Sequence, residues 1–174
     1  DEQYNAIAQA CKEILAGQHH DQFPVDMIQG GAGTTTNMNA NEVIANRALQ
    51  IMGHELGDYR HCSPNDHVNC SQSTNDAYPT AIHLGLYATH QEFLKHYLLL
   101  IESFEKKAVE FADILKMGRT QLEDAVPMTL GQTFGAFASI LKDEIRNINF
   151  AAEEFLTVNM GATAIGTGIC SEPE

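Results

Sequence analysis

Apolar residues recur at helical spacing in four stretches of this chain, separated by polar and glycine-rich segments. From about Tyr4 to Leu15 the positions Ile7, Ala8, Cys11, Ile14 and Leu15 make one side apolar, and Gly17 ends the helix. A second pattern runs from Asn39 to Gly53 through Val43, Ile44, Ala48, Leu49 and Met52. A long one extends from about Ala77 to about Leu115, through Leu84, Tyr87, Phe93, Leu94, Tyr97, Leu98, Ile101, Phe104, Ala108 and Phe111; a break, if any, falls near Glu92 or His96. The last runs from about Thr129 to Val158, through Phe134, Phe137, Ile140, Leu141, Ile145, Ile148, Phe155 and Leu156. Between them lie a glycine-rich connection from His19 to Thr36, a polar loop from Asp58 to Gln72, an extended or looped stretch from Lys116 to Met128, and a terminal loop of small residues from Gly161 to Gly168. Strand signals are few, so the fold class is mainly α. The long rods carry apolar residues on more than one face and cannot bury them against each other alone. They predict a helical bundle completed by other helices, of the same or of neighbouring subunits.

The 174 residues are long enough for a sizeable core. The net charge of −13 argues against nucleic acid, which requires a basic face. It leaves room for an anionic substrate, provided local dipoles and hydroxyls hold it rather than a bulk positive field. No apolar run is long enough for a membrane span, and this stretch opens with no secretory n-region and h-region. The cysteines Cys11, Cys62, Cys70 and Cys170 show no framework spacing, which predicts reduced thiols in a cytoplasmic protein. His61, Cys62, His67 and Cys70 resemble a loose metal-ligand spacing, but match no closed zinc pattern, so no metal site and no cofactor is expected. His19-His20 reads as solvated loop.

The chemistry is concentrated in the small polar residues. Ser73-Thr74-Asn75-Asp76-Ala77-Tyr78-Pro79-Thr80 has a capping carboxylate, a proline suited to a first turn and an apolar run behind it, which predicts a helix start. Helix starts expose backbone N–H groups and a positive dipole end, and hydroxyls placed there make a seat for a carboxylate or phosphate. Taken alone, the segment reads first as an ordinary N-cap, since capping clusters are common. Two further segments have the same character: Gly30-Gly31-Ala32-Gly33-Thr34-Thr35-Thr36-Asn37-Met38-Asn39, and Gly118-Arg119-Thr120-Gln121-Leu122-Glu123-Asp124-Ala125-Val126-Pro127.

Together with P-N-D-H-V-N around His67 and N-M-G-A-T-A-I-G-T-G near the end, these segments resemble, in order, the motifs of the aspartase/fumarase superfamily, closest to its aspartate ammonia-lyases. The resemblance runs from about Asp21 to about Ile169. It implies the N-terminal domain of the aspartase/fumarase fold plus the first two long helices of its central helical bundle. Residues 1–75 would be a partial N-terminal lyase domain, and 76–174 a partial helical-bundle domain. In the family that bundle assembles into homotetramers, and each active site gathers loops from three subunits.

The resemblance also implies roles. Thr34, Ser73 and Thr74 would donate to the carboxylate of a small dicarboxylate substrate, aspartate or fumarate, that accumulates charge as its neighbouring carbon loses a proton. Asn75 would contact the amino group or the adjacent face of the substrate. Thr120 and Gln121 would hold the other end of the substrate from another subunit's loop, and Asn65, Asp66 and His67 would form a secondary carboxylate site. Gln121 stands where fumarases carry His and a subset of aspartases carries Gln; an amide cannot titrate near neutrality, so it is not the base. In the family the base is a Ser on a loop of pattern G-S-S-x-x-P-x-K-x-N, which this sequence does not contain, so no catalytic residue is assigned and the chain by itself is expected to be inactive. Cys70 stands where relatives often carry Lys, removing a cation from beside Ser73. The expected function is part of an aspartate ammonia-lyase, with fumarase as the rival enzyme and a non-catalytic helical assembly module as the rival of another class.

Overall fold

A computed structural model describes residues 2–26, 28 and 32–171 of the chain. Gly30 and Gly31 of the first glycine-rich segment lie outside the described residues. The chain divides into two compact units, residues 1–82 together with 158–174, and residues 83–157.

In the first unit, α1 (Glu2–Leu15) packs on α2 (Thr34–Ile51). The core is Ala6, Ala45, Ala48, Leu49, Cys62 and Val68, with Ile7, Ile44 and Met52 packed against it. This corrects the face expected for α1. Ala6 and Ala10 are buried, whereas Leu15 is 87% exposed. The alanines stop at Cβ, so the two helix backbones approach closely and the larger aliphatics are displaced to the rim. Gly17 and Gly53 end the two helices at φ 89° and 78°, left-handed values that suit glycine. The His19-His20 pair is not merely solvated: the His19 ring lies 3.1 Å from Glu13, and the His20 ring 2.9 Å from the Ile14 carbonyl.

α2 begins at Thr34 rather than near Asn39. The run Thr34-Thr35-Thr36-Asn37 has weak helix propensity, but tertiary contacts override it. Asn37 and Asn41 both donate to the Asn69 side chain, at 3.3 and 3.0 Å. The polar loop contains one π-helical turn, Pro64–Val68, whose Val68 enters the core.

α3 (Thr74–Glu110) is unbroken at Glu92 and His96, and ends before Leu115. Glu92 pairs with both Lys95 and His96 on the helix surface, at 2.8 and 3.3 Å, and the helix runs through them.

Residues 83–110 of α3 belong to the second unit, with the hairpin β1 (Leu115–Thr120) and β2 (Glu123–Thr129), α4 (Leu130–Glu153) and a 3₁₀ turn at Glu154–Leu156. The 116–128 stretch is thus an antiparallel pair, Leu115 opposite Thr129 and Thr120 opposite Glu123, with an irregularity at Gly118. Thr129 and Gln132 form a reciprocal capping box that starts α4. Gly131 is required there: a Cβ would lie 2.5 Å from the Ala108 carbonyl oxygen. Phe104, Phe111, Phe134 and Phe137 pack as edge and tilted rings with centroids 5.5–6.3 Å apart. Buried His90 is joined to Asn149 at 3.0 Å. Among the described residues no helix is long and apolar enough to cross a membrane.

Candidate functional site

The start of α3 organises the first unit. Ser73 caps it: its Oγ accepts the Asn75 N–H at 3.1 Å, and its own N–H donates to Asp76 Oδ1 at 2.8 Å. Asp76 is fully buried, and its Oδ2 accepts the N–H groups of Gly161 (3.2 Å) and Thr163 (2.8 Å). Burial pushes the Asp76 carboxyl up. The backbone donors of Ser73, Thr163, Ala77 and Gly161 outweigh it and hold the group below the usual carboxylate range. The N–H groups of Asn75, Asp76 and Ala77 are engaged by Ser73. Three of the first N–H groups of α3 are thus turned to Ser73 rather than left for an anion. The hydroxyls of Ser73 and Thr74 are suited to an anion there: the Ser73 Oγ accepts one hydrogen bond and keeps its own proton to donate.

Asn75 is held by the terminal loop, its Nδ2 donating to the Ala164 carbonyl at 2.7 Å. That leaves its Oδ1 as the atom suited to accept from a cation such as an ammonium. Pro79 falls in the second turn of α3, not the first. It lacks the N–H that would reach the Asn75 carbonyl, and Asn159 Nδ2 donates to that carbonyl instead, at 2.9 Å.

Thr34 stands exposed at the first turn of α2, directly after Gly33, which takes φ 82° as the cap. Gly33 lies against the Tyr78 ring so closely that a Cβ would sit 2.0 Å from Cε1. Only glycine allows both the left-handed conformation and this approach. The contact brings the beginnings of α2 and α3 together, and with them two of the three polar segments.

The Asn65-Asp66-His67 turn is built on Ser63. The Ser63 N–H donates to His67 Nδ1 at 2.8 Å, so a neutral His67 carries its proton on Nε2. Ser63 Oγ accepts from Asp66 N at 3.1 Å and donates to Asp66 Oδ2 at 3.0 Å. Ser63 therefore caps the turn with Asp66 bonded to it, and both Asn65 and Asp66 are exposed. The Asn37 and Asn41 bonds to Asn69 tie this turn to α2. The His61–Cys62–His67–Cys70 spacing does not form a cluster: Cys62 is in the core, His67 turns to Ser63, and Cys70 is exposed beside Ser71. All of the cysteines Cys11, Cys62, Cys70 and Cys170 are free thiols.

Thr120 and Gln121 belong to the second unit, at the tip of its hairpin. The two-residue turn is Gln121-Leu122, with φ 50° and 67°, and Leu122 is 96% exposed. Such a turn ordinarily uses Asn-Gly, so the backbone is strained at this polar segment. Arg119 braces the turn through Asp124 at 2.9 Å. Sequence reading missed this strain, and also the reach of the terminal loop to Asn75 and Asp76, because neither leaves a periodic signal.

The family model for lyases matches residues 1–174. The chain is 58% identical to the aspartate ammonia-lyase of Pseudomonas aeruginosa, over 99% of this chain and 37% of the relative. It is also 58% identical to the aspartate ammonia-lyase of Escherichia coli K12, over 98% of this chain and 36% of the relative. The cobalt-bound fumarate lyase:delta crystallin of Brucella melitensis superposes with a TM-score of 0.83 at 52% identity, over 99% of this chain and 37% of that one. The class II fumarase of Schistosoma mansoni does so at 0.76 and 38% identity, over 99% and 36%. The chain thus spans a little over a third of the length of the curated relatives it matches. With ordered polar segments on a mainly α framework and a family match along its whole length, this chain belongs to the aspartase/fumarase superfamily of lyases.

Proposed function

We propose that this chain is part of an aspartate ammonia-lyase, which removes ammonia reversibly from L-aspartate to give fumarate and uses no organic cofactor. The observation that carries the reading is the 58% identity with aspartate ammonia-lyases over essentially the whole chain. The geometry of the α3 start is suited to the reaction. Loss of the proton beside one carboxylate puts a second negative charge on it, and the step is accelerated by donors aimed at that charge. The hydroxyls of Ser73 and Thr74, with Thr34, would supply them, and Asn75 Oδ1 would accept from the substrate ammonium. Thr120 and Gln121 would hold the second carboxylate from another subunit, and Asn65, Asp66 and His67 would form the secondary carboxylate site. Gln121 donates and accepts but carries no proton away.

Residues 1–75 would be a partial N-terminal lyase domain, and 76–174 a partial bundle domain. The reading includes a homotetramer in the cytoplasm. Exposed Leu98, Leu99, Phe137, Ile140 and Phe150 on α3 and α4 support association through the helices, and the free thiols fit a reducing compartment. Fumarase is the second reading, favoured by the 38% identity to the class II enzyme and opposed by Gln121. The test is fumarate production by the full-length polypeptide from L-aspartate and, separately, from L-malate. Turnover of aspartate supports the proposal. Turnover of malate alone would establish fumarase, and turnover of neither a non-catalytic assembly module.

A further inference from the structure

We propose that His54, Asp58 and His61 form a binding site for a divalent first-row transition-metal ion, separate from the Ser73 segment. Each residue offers one ligand atom, and these atoms all lie within 4.8 Å of one another. The two imidazoles are stacked face to face, centroids 3.8 Å apart and 7° from parallel. His61 Nε2 is 3.7 Å from Asp58 Oδ2, beyond a hydrogen bond but close to the spacing of two ligands on one ion. Imidazole nitrogens with one carboxylate suit Zn²⁺, Co²⁺ or Ni²⁺, and leave coordination positions open to water.

The loop that carries these residues is held at several points. His54 follows the glycine that ends α2, and its N–H donates to the Leu49 carbonyl at 2.9 Å. Asn46 of α2 accepts the Gly57 N–H at 2.8 Å and donates to the Tyr59 hydroxyl at 3.2 Å. Gln3 of α1 donates to the His61 carbonyl at 2.8 Å, and the next residue, Cys62, is fixed in the core. The backbone is therefore positioned before any ion arrives, which lowers the ordering cost of binding.

Two features set the terms of binding. Parallel rings do not aim their lone pairs at one centre, so the His61 ring, whose side chain is 48% exposed, must turn about χ2 out of the stack. Asp58 is also gripped by Arg60, at 2.8 and 3.1 Å, and an ion must share or displace that guanidinium.

The test is titration of the purified, tag-free, EDTA-treated protein with CoCl₂, read by calorimetry and by visible d–d absorption. The expected result is saturable binding of one ion per chain, weakened at least about tenfold in His61→Gln and in Asp58→Asn. His96→Gln, on the exposed surface of α3, leaves it unchanged, and Arg60→Ala strengthens it. His61→Gln alters an exposed ring, and its melting temperature without metal verifies that it folds; cobalt then raises the melting temperature of the parent and not of the variant. The proposal is overturned by the absence of saturable binding, by an equal loss in His96→Gln, or by unchanged affinity in His61→Gln. A thiolate-to-cobalt charge-transfer band would place the ion on cysteine and overturn it as well.

Discussion

Thr163 and Asp76 stand 87 residues apart, yet the Thr163 N–H donates to the buried Asp76 Oδ2 at 2.8 Å. Asp76 thereby joins the start of α3 to the loop after Leu156, holding one end through Ser73 and the other through Gly161 and Thr163. Removing the carboxylate orphans buried donors. Asp76→Ala is expected to cost about 2–4 kcal/mol in urea denaturation, and a loss well under 1 kcal/mol would refute the clamp. Because the folded carboxyl titrates below its unfolded value, this stability is present above the unfolded pKa and is lost as pH falls through the folded one.

Pro79 and Asn159 act as one device. Pro79 deprives the Asn75 carbonyl of its helical partner, and Asn159 replaces it at 2.9 Å. Asn159→Ala is expected to cost about 1–2 kcal/mol in the parent. In a Pro79→Ala background the restored N–H competes for the same carbonyl, and the cost of Asn159→Ala falls by half or more. A double-mutant cycle measures this coupling, and strictly additive changes would rule it out.

Leu122 takes φ 67° at the hairpin tip with its side chain in solvent. A left-handed conformation costs a non-glycine residue about 1–2 kcal/mol, part of which glycine returns through a freer unfolded chain. Leu122→Gly is therefore expected to stabilise the protein by about 0.5–1 kcal/mol in a thermal melt. Destabilisation would show that Leu122 makes a stabilising contact in the assembled protein.

Glu13 is gripped by Arg47 at 2.6 Å, with Gln9 and His19 donating as well, and its carboxyl falls from 4.5 to about 2. A depressed carboxyl contributes stability above its unfolded pKa and loses it as pH drops. The parent should therefore lose stability relative to Glu13→Gln between about pH 5 and pH 2. Urea midpoints of the two proteins across that range check it; parallel curves would mean that the pair contributes nothing.

The helices were legible because apolar periodicity and glycine stops are local: Gly17 and Gly53 end α1 and α2 as their sequence context implies. The polar segments were legible as a set through their motifs. Less was legible where two distant parts of the chain decide the outcome. Which side of α1 is buried depends on the alanines of α2 opposite it, and the early start of α2 depends on Tyr78 against Gly33 and on Asn69. Helix propensity alone opposes that start.

The same division separates the chemistry. The sequence by itself determined a mainly α chain, its family, and the hydroxyl- and amide-rich segments, because these rest on residue identity and short-range spacing. Only the tertiary structure decided that Asp76 turns inward to the terminal loop, that Asn75 is held by Ala164, and that Cys62 enters the core beside Ala6 and Ala45 instead of joining His61, His67 and Cys70. The physical reason is that a hydrogen bond or a ligand set is defined by direction and distance. Those are set by packing between residues that the chain order does not relate.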